Sequence, residues 1–389
     1  MAKPKLVYIV SRFPFPLEKG DKLRAYYQIK ELAPFYDIYL MSLSDKKVNN
    51  QQIAELKPYC KEIHVYFLPI WTILFQLTRC LFNGKPFQIG YFYSFRHALR
   101  MQHEIEKIKP DHIFSQLVRT SEYVKDYHEC PKTIDYMDAL SKGMDRRAKE
   151  LKGLKKIIYS SEAKRLRKYE RTIFDYFEHK LIISEQDKHF IIHPDFEKIE
   201  VVPNGIDESF FHVEKSTKKL YDLVFVGNLS YAPNIKAANY ILDHITKWNP
   251  SLKILIAGAN PSSELKARVK KHKQVSLSGW MDDIKDAYLS GKIFIAPMTN
   301  GTGMQNKLLE AMALGIPCIT TNLANNGILA TPNKTIIVAN TPEQFQENIV
   351  RLLEKESIRE EIAQAAKSWV KEKYNWKEIN LRLMKIFLK

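Results

Sequence analysis

Lys307 and Glu310 lie three residues apart, behind a turn that carries Gly301 and Gly303 and ahead of a Gly315-x-Pro317 stop. That spacing puts an ammonium and a carboxylate on one face of a helix. The glycines let the backbone approach a ligand closely. A helix starting near Asn306 would aim its free N–H groups and its positive dipole end at the same spot. The chemistry that fits is anion binding, with a cation and a carboxylate at hand. The plainer reading is a solvated Lys307–Glu310 pair contributing about 0.2–0.5 kcal/mol. The elements that must position these groups are also legible. Residues 293–296 form a short apolar run, as in a parallel strand covered on both faces, and Pro297 ends it. Gly315 sits as a helix C-cap, and residues 318–320 open the next strand, so residues 293–322 read as one βαβ unit.

This order of strand, glycine-rich turn, helix with Lys and Glu, Gly-x-Pro and strand resembles the nucleotide-sugar signature of family 4 glycosyltransferases, which have the GT-B fold. The string LEAMALGIPCITT carries the likeness most specifically. In that family the Glu of LEAMA holds the ribose hydroxyls of the donor, so the resemblance implies this role for Glu310. A carboxylate accepts from both hydroxyls of a cis-diol, while turn amides and a lysine meet a diphosphate. The family often has another glutamate eight residues earlier that contacts the donor sugar. That position here is Thr302, carried as a candidate catalytic residue, whose hydroxyl can hydrogen-bond a sugar. The form GTG-x-x-NK implies Gly301, Thr302, Gly303, Met304 and Lys307 in the donor loop. Family members often clamp the diphosphate with an arginine and a lysine after the first strand of the second domain. Here that loop reads GNLSYAPN. Gly227 and Asn228 stay as implied donor contacts, and the cation falls to Lys307, because Lys236 lies in a helix leading away. The residues after Gly279 border the nucleobase in the family, which implies Trp280 and Met281 near the base. Trp280 as plain core is the alternative.

Near the start, an apolar run at residues 6–10 leads into SRFPFPLEKGDKLRAYYQIKELA, where Gly20 precedes a helix with apolar spacing through Leu23, Tyr27, Ile29 and Leu32. Strand, glycine loop and helix repeat the anion-site logic. The form Pro-x-Pro-x-x-x-Gly-Asp-Lys-x-Arg resembles the opening of bacterial polysaccharide- and exosortase-associated sugar transferases. It implies Gly20 near the donor diphosphate, and Asp21, Lys22 and Arg24 near either substrate, with Arg24 an acceptor contact. A solvated helix position is the equal alternative for Arg24. The string DYMDALSKGMD follows a strand read at residues 133–137. Ligands in open α/β sheets collect beyond the carboxyl ends of strands, which places Asp135 and Asp138 for acceptor or sugar contacts. The Asp-x-x-Asp pair resembles the same group of transferases, and Asp138 is also a candidate catalytic residue. Use of one Asp as the following helix cap is the alternative.

A chain of 389 residues is too long for one ordinary core and suits two domains. We expect an N-terminal acceptor-binding Rossmann-like domain at residues 1–203, with residues 370–389 packing back on it. A C-terminal nucleotide-sugar-binding domain is expected at residues 204–369. The boundary falls in IEVVPNGID, at Pro203 and the Asn204-Gly205 turn. Strands read at 37–43, 63–68, 111–115, 133–137 and 179–184, and again at 221–226, 253–257, 275–278, 293–296 and 318–320. Cys60, Cys80, Cys130 and Cys318 lack metal-ligand spacing and read as reduced packing residues. The first apolar run is too short for a signal peptide, and no run reaches transmembrane length, so a cytoplasmic location is expected.

With 60 basic and 44 acidic residues, the net charge of +16 implies attraction to polyanions. No zinc-finger, RNP or helix-turn-helix pattern is present, so nucleic acid is an unlikely partner. Residues 69–82, PIWTILFQLTRCLF, are apolar on most faces. They read as a core helix or, given Trp71 and the aromatic-basic residues that follow, as an interfacial element. The basic run over 142–171 reads as a solvated face or as one facing an anionic leaflet, at about 1 kcal/mol per basic group.

These readings imply an α/β chain of the GT-B class, with two facing Rossmann-like domains, parallel sheets and a C-terminal helix crossing back to the N-domain. The expected activity is retaining hexosyl transfer from a nucleotide-diphosphate sugar, such as a UDP-sugar, to a glycan or lipid-linked acceptor in cell-surface polysaccharide synthesis. Without a suitably paired carboxylate nucleophile, same-face attack assisted by the leaving phosphate is preferred to double displacement. No Asp-x-Asp motif precedes a suitable strand, so neither a metal nor a cofactor beyond the sugar donor is expected. Leaving-group charge falls to Lys307, amides and the helix dipole. Expected partners are the donor, the acceptor and an anionic membrane surface at the inner face of the plasma membrane. A dinucleotide oxidoreductase is set aside because GxGxxG does not follow the first strand. The remaining alternative is a catalytically inactive basic scaffold that binds membrane or nucleic acid, for which Thr302 is the best argument.

Overall fold

The computed structural model describes residues 2–212, 218–300 and 304–388. It divides into two compact units, Met1–Pro203 with Trp376–Lys389, and Asn204–Asn375. The first unit holds β1 (Lys5–Val10), β2 (Asp37–Ser44), β3 (Glu62–Phe67), β4 (His112–Gln116), β5 (Lys132–Asp135), β6 (His179–Ile182) and β7 (Ile199–Val201). Their order in the sheet is β3-β2-β1-β4-β5-β6-β7, and every pairing is parallel. Along β1 the side chains alternate between two buried layers: Val7 and Ile9 join one, Leu6, Tyr8 and Val10 the other. A parallel sheet covered on both faces requires this, and it is why the run reads as continuously apolar.

The second unit repeats the plan with β8 (Tyr221–Val226), β9 (Ile254–Ala257), β10 (Val275–Leu277), β11 (Gly291–Ala296), β12 (Cys318–Thr320) and β13 (Ile337–Val338). The order is β10-β9-β8-β11-β12-β13, again parallel throughout. In each sheet the first strand in sequence lies between strands on both sides, so the strand order reverses at β1/β4 and at β8/β11. Those are the crevices where open α/β sheets bind ligands.

Most expected strands lie within one or two residues of their places, and the differences have local causes. β5 stops at Asp135 because Met137 has φ 61°, a left-handed conformation that no strand continues. β13 has two residues, too few for any periodicity to reveal.

The C-terminal helix Trp376–Phe387 belongs to the first unit. Trp376, Ile379, Leu383, Ile386 and Phe387 form its buried stripe, and Trp376 stacks on Tyr27 with ring centroids 5.3 Å apart. The return begins at Trp376 rather than at 370. Tyr374 is held in the second unit, where its hydroxyl donates to the Ile328 carbonyl at 2.7 Å and its carbonyl accepts from Ile206 N–H at 2.7 Å.

The helix Ile70–Asn83 corrects the core reading of residues 69–82. Only Ile73, Gln76 and Cys80 are buried; Leu77 is half-buried against the core, and Ile70, Trp71, Leu74, Phe75, Leu81 and Phe82 face solvent. No helix among the described residues is long and apolar enough to cross a membrane.

Candidate functional site

In the second unit the loops that leave β8, β9 and β10 form one hydrogen-bonded rim. Gly227 N–H donates to Ala257 O at 3.0 Å, Leu229 N–H to Ala259 O at 2.8 Å, and Gly258 N–H to Gly279 O at 3.2 Å. Glycine at 258 is required: its φ is 144°, and an added Cβ would stand 1.9 Å from the Gly227 carbonyl oxygen. This close approach seats Gly227 and Asn228 beside the helix Asn306–Ala313, which follows β11.

Asn234 joins the two sides of the crevice. Its amide nitrogen donates to Asn228 O at 2.9 Å, and its amide oxygen accepts from Lys307 Nζ at 2.5 Å. A Cβ on Gly227 would come within 2.8 Å of the same amide. Lys307 also lies 5.8 Å from the Phe225 ring centroid. Burial pulls its pKa down to about 8, opposed by the Glu310 carboxylate.

Glu310 accepts a hydrogen bond from the buried Tyr288 hydroxyl at 2.7 Å. Burial raises its pKa, while Tyr288 and then Lys307 favour the charged form. The two residues are therefore partly buried and separately anchored, not a solvated surface pair. Among the described residues, no side-chain hydrogen bond caps the N-terminus of their helix at Gln305. Met304, just ahead of it, packs on the core and accepts from Asn204 N–H through its sulfur at 3.3 Å. Gly301, Thr302 and Gly303 lie outside the described residues.

Trp280 is 74% exposed, which removes the core alternative, whereas Met281 is half-buried against the core. Trp280 borders an open depression shared with Asn260, Pro261, Lys270 and Gly279.

In the first unit the expected acceptor residues separate into two groups. Arg24 and Asp135 are both fully buried, with Arg24 Nε donating to Asp135 Oδ2 at 2.5 Å. Arg24 Nη1 donates to Pro203 O at 3.1 Å, and Asp135 Oδ1 accepts from Met137 N–H at 3.1 Å. This corrects both assignments: the pair ties helix Gly20–Leu32 to β5, and neither side chain faces an acceptor. Gly20 is exposed at the start of that helix, and an added Cβ would meet nothing within 4 Å. No contact within the chain demands a glycine there.

Asp138 behaves differently. The left-handed Met137 turns the chain so that Asp138 is exposed at the carboxyl end of β5. Crowding around its carboxyl and the neighbouring Asp187 raise its pKa to about 6, while Arg119 and Arg146 oppose the shift. Beside it, at the β1/β4 crevice, Arg12 Nη1 pairs with Asp21 at 2.9 Å, and Arg119 donates to Gln88 Oε1 at 2.5 and 3.0 Å. Both guanidinium groups lie near the Phe92 ring, 5.6 and 5.2 Å from its centroid. Burial and the like charge of Arg12 bring Arg119 down to about 10, so it stays charged at neutral pH. Asn234, Tyr288, Arg12 and Arg119 were not singled out by motif or spacing. Asn234 opens the helix Ala232–Tyr240 just after the Gly227 loop, and Arg12 stands in the loop ahead of Gly20. Tyr288 and Arg119 carry no sequence signal.

Residues 221–355 match the family model for glycosyl transferases group 1. The chain is 23% identical to an uncharacterized 44.6 kDa protein in the cps region of Klebsiella pneumoniae, over 96% of this chain and 97% of that one. A stretch covering 38% of the chain and 44% of the relative is 26% identical to the UDP-Gal:alpha-D-GlcNAc-diphosphoundecaprenol alpha-1,3-galactosyltransferase of Escherichia coli. Among solved structures, Anabaena HepE in complex with UDP superposes with a TM-score of 0.69 at 12% identity, over 98% of each chain. The fold is GT-B, with two Rossmann-like units, and the matches support the glycosyltransferase superfamily.

Proposed function

We propose that this protein is a retaining glycosyltransferase of the family 4 type. It moves a sugar from a nucleotide-diphosphate donor to a glycan or lipid-linked acceptor in cell-surface polysaccharide synthesis on the cytoplasmic side. The observation that carries this is the Gly227–Asn234–Lys307–Glu310 cluster, which lies at the β8/β11 crevice and within the residues that match the family model. In this reading the Glu310 oxygen left free by Tyr288 accepts from the ribose hydroxyls. Lys307 and the N–H groups that open its helix meet the diphosphate. Gly227 and Asn228 line the phosphate path, and Trp280 and Met281 border the base. Gly301, Thr302, Gly303 and Met304 are assigned to donor contacts by the GTG-x-x-NK resemblance alone.

The acceptor is assigned to the first unit, where Asp138 stands at the carboxyl end of the sheet. As the glycosidic phosphate bond breaks, negative charge grows on the departing diphosphate. Lys307, amides and the helix dipole would stabilise it without a metal ion. The attacking hydroxyl bonds to the anomeric carbon from the same face, and its proton passes to the leaving phosphate. The supporting relatives include one that uses a UDP-sugar and a diphosphoundecaprenol acceptor.

Calorimetry with UDP and GDP tests the donor site. Glu310→Ala should weaken binding by about 1.5–3 kcal/mol for each charged hydrogen bond lost. Wild-type affinity in a folded Glu310→Ala protein would sink the assignment. Transfer assays with a panel of nucleotide sugars separate a transferase from an inactive scaffold.

A further inference from the structure

The helix Ile70–Asn83 presents an apolar face that the fold does not cover. Its buried side chains, Ile73, Gln76 and Cys80, form one stripe. On the other side Ile70, Trp71, Leu74, Phe75, Leu81 and Phe82 are exposed, Trp71 at 76% and Phe82 at 90%. At 3.6 residues per turn these six span an arc of about 140°. Monomeric soluble proteins rarely leave so contiguous a patch open.

The patch continues onto the helix Gly153–Ile173. Phe87 and Gln88 N–H groups donate to Glu162, and Arg165 donates to the Cys80 and Lys85 carbonyls. Leu154 and Ile158 share the stripe of Glu162 and Arg165 by i, i+4, i+8 and i+11 spacing, and they are exposed at 71% and 47%. They therefore extend the same surface about one to two turns beyond the contact.

What surrounds this face is basic. Residues 70–85 contain no acidic side chain; Arg79 is exposed there, as is Lys85, which pairs with Glu122 at 2.7 Å, and Lys152, Lys155 and Lys156 are exposed at the start of the neighbouring helix. An apolar face with a basic margin complements one kind of partner, a bilayer with anionic headgroups: rings and aliphatic chains enter the headgroup boundary while the lysines meet the charge. We infer that helix Ile70–Asn83, with the first turns of helix Gly153–Ile173, docks the protein on an anionic lipid surface. This docking is independent of the transfer reaction.

Cosedimentation with phosphatidylcholine vesicles, with and without phosphatidylglycerol, tests it. The wild-type protein should bind only the anionic vesicles and release at high salt. A triple variant, Trp71→Ser, Phe75→Ser and Phe82→Ser, should bind at least about tenfold more weakly, given the apolar area removed. Its Tm should be unchanged, because the three side chains face solvent. Substituting Lys152, Lys155 and Lys156 with Ser should also weaken binding and reduce its salt dependence. Unchanged vesicle binding by the triple variant, or none by the wild type, would overturn the proposal. So would a concentration-dependent dimer in solution that the triple variant abolishes, since the face would then be an interface between copies of this chain.

Discussion

In the proposed reaction Lys307 has to be protonated to meet a diphosphate, and its environment makes that conditional. Burial holds its pKa near 8, against 10.5 for an ordinary lysine, so the ammonium is present below about pH 8 and lost as pH rises through it. We expect kcat/KM to fall above pH 8 with a single ionisation, and Lys307→Arg to move that fall to higher pH. The effect on folding has the opposite sense. Between pH 8 and 10.5 the unfolded chain binds the extra proton, so this residue adds stability as pH rises through that window. Lys307→Met should lower kcat by about 10²-fold with less change in KM, as for loss of an oxyanion donor, while Lys236→Met should do little. Steady-state kinetics with the identified donor decide between them; an unchanged kcat in Lys307→Met would remove the lysine from the reaction. Asn234 is a positioning residue here, because its single amide binds both the Asn228 carbonyl and the lysine.

Among the elements, the Arg24–Asp135 pair shows how a motif with a chemical look can be structural. The pair is dry, joins a helix to a strand, and anchors Pro203 at the end of the first unit's main segment. Removing one partner leaves a buried uncompensated charge, so Arg24→Met or Asp135→Leu should each cost about 3–5 kcal/mol in urea unfolding. The double variant should recover much of that loss, since a buried ion pair is close to break-even against apolar side chains. Equal, additive losses would show that the two act independently. The Asp138 turn at the end of the same strand is the contrasting case, exposed and set by a left-handed residue rather than by a partner.

At the level of the whole chain, the helix Trp376–Phe387 completes the first unit although it follows the second unit in sequence. Burying Trp376, Ile379, Leu383, Ile386 and Phe387 contributes about 1.5–3 kcal/mol for each side chain. Together that rivals the net stability of an ordinary domain, about 5–15 kcal/mol. Deleting residues 376–389 should therefore open the first unit to proteolysis and hydrogen exchange while the second unit stays protected. Protection retained in β1 and helix Gly20–Leu32 after the deletion would refute this.

The sequence by itself determined the repeated strand-helix order, the positions of nearly all strands, and the βαβ unit around Lys307 and Glu310. Local causes suffice for these: apolar runs covered on both faces, glycines at turns and caps, and a helix start beside them. Only the packing shows which charges line the candidate crevices and which tie the frame together. Arg24 and Asp138 look alike as polar residues near glycines or strand ends, yet one lies fully buried and the other at the surface, because pairing across 111 residues cannot be read from spacing. The same holds for Tyr288 behind Glu310, for Asn234 between two loops, and for the helix Ile70–Asn83. Its composition fits a core, but the fold buries only one of its faces.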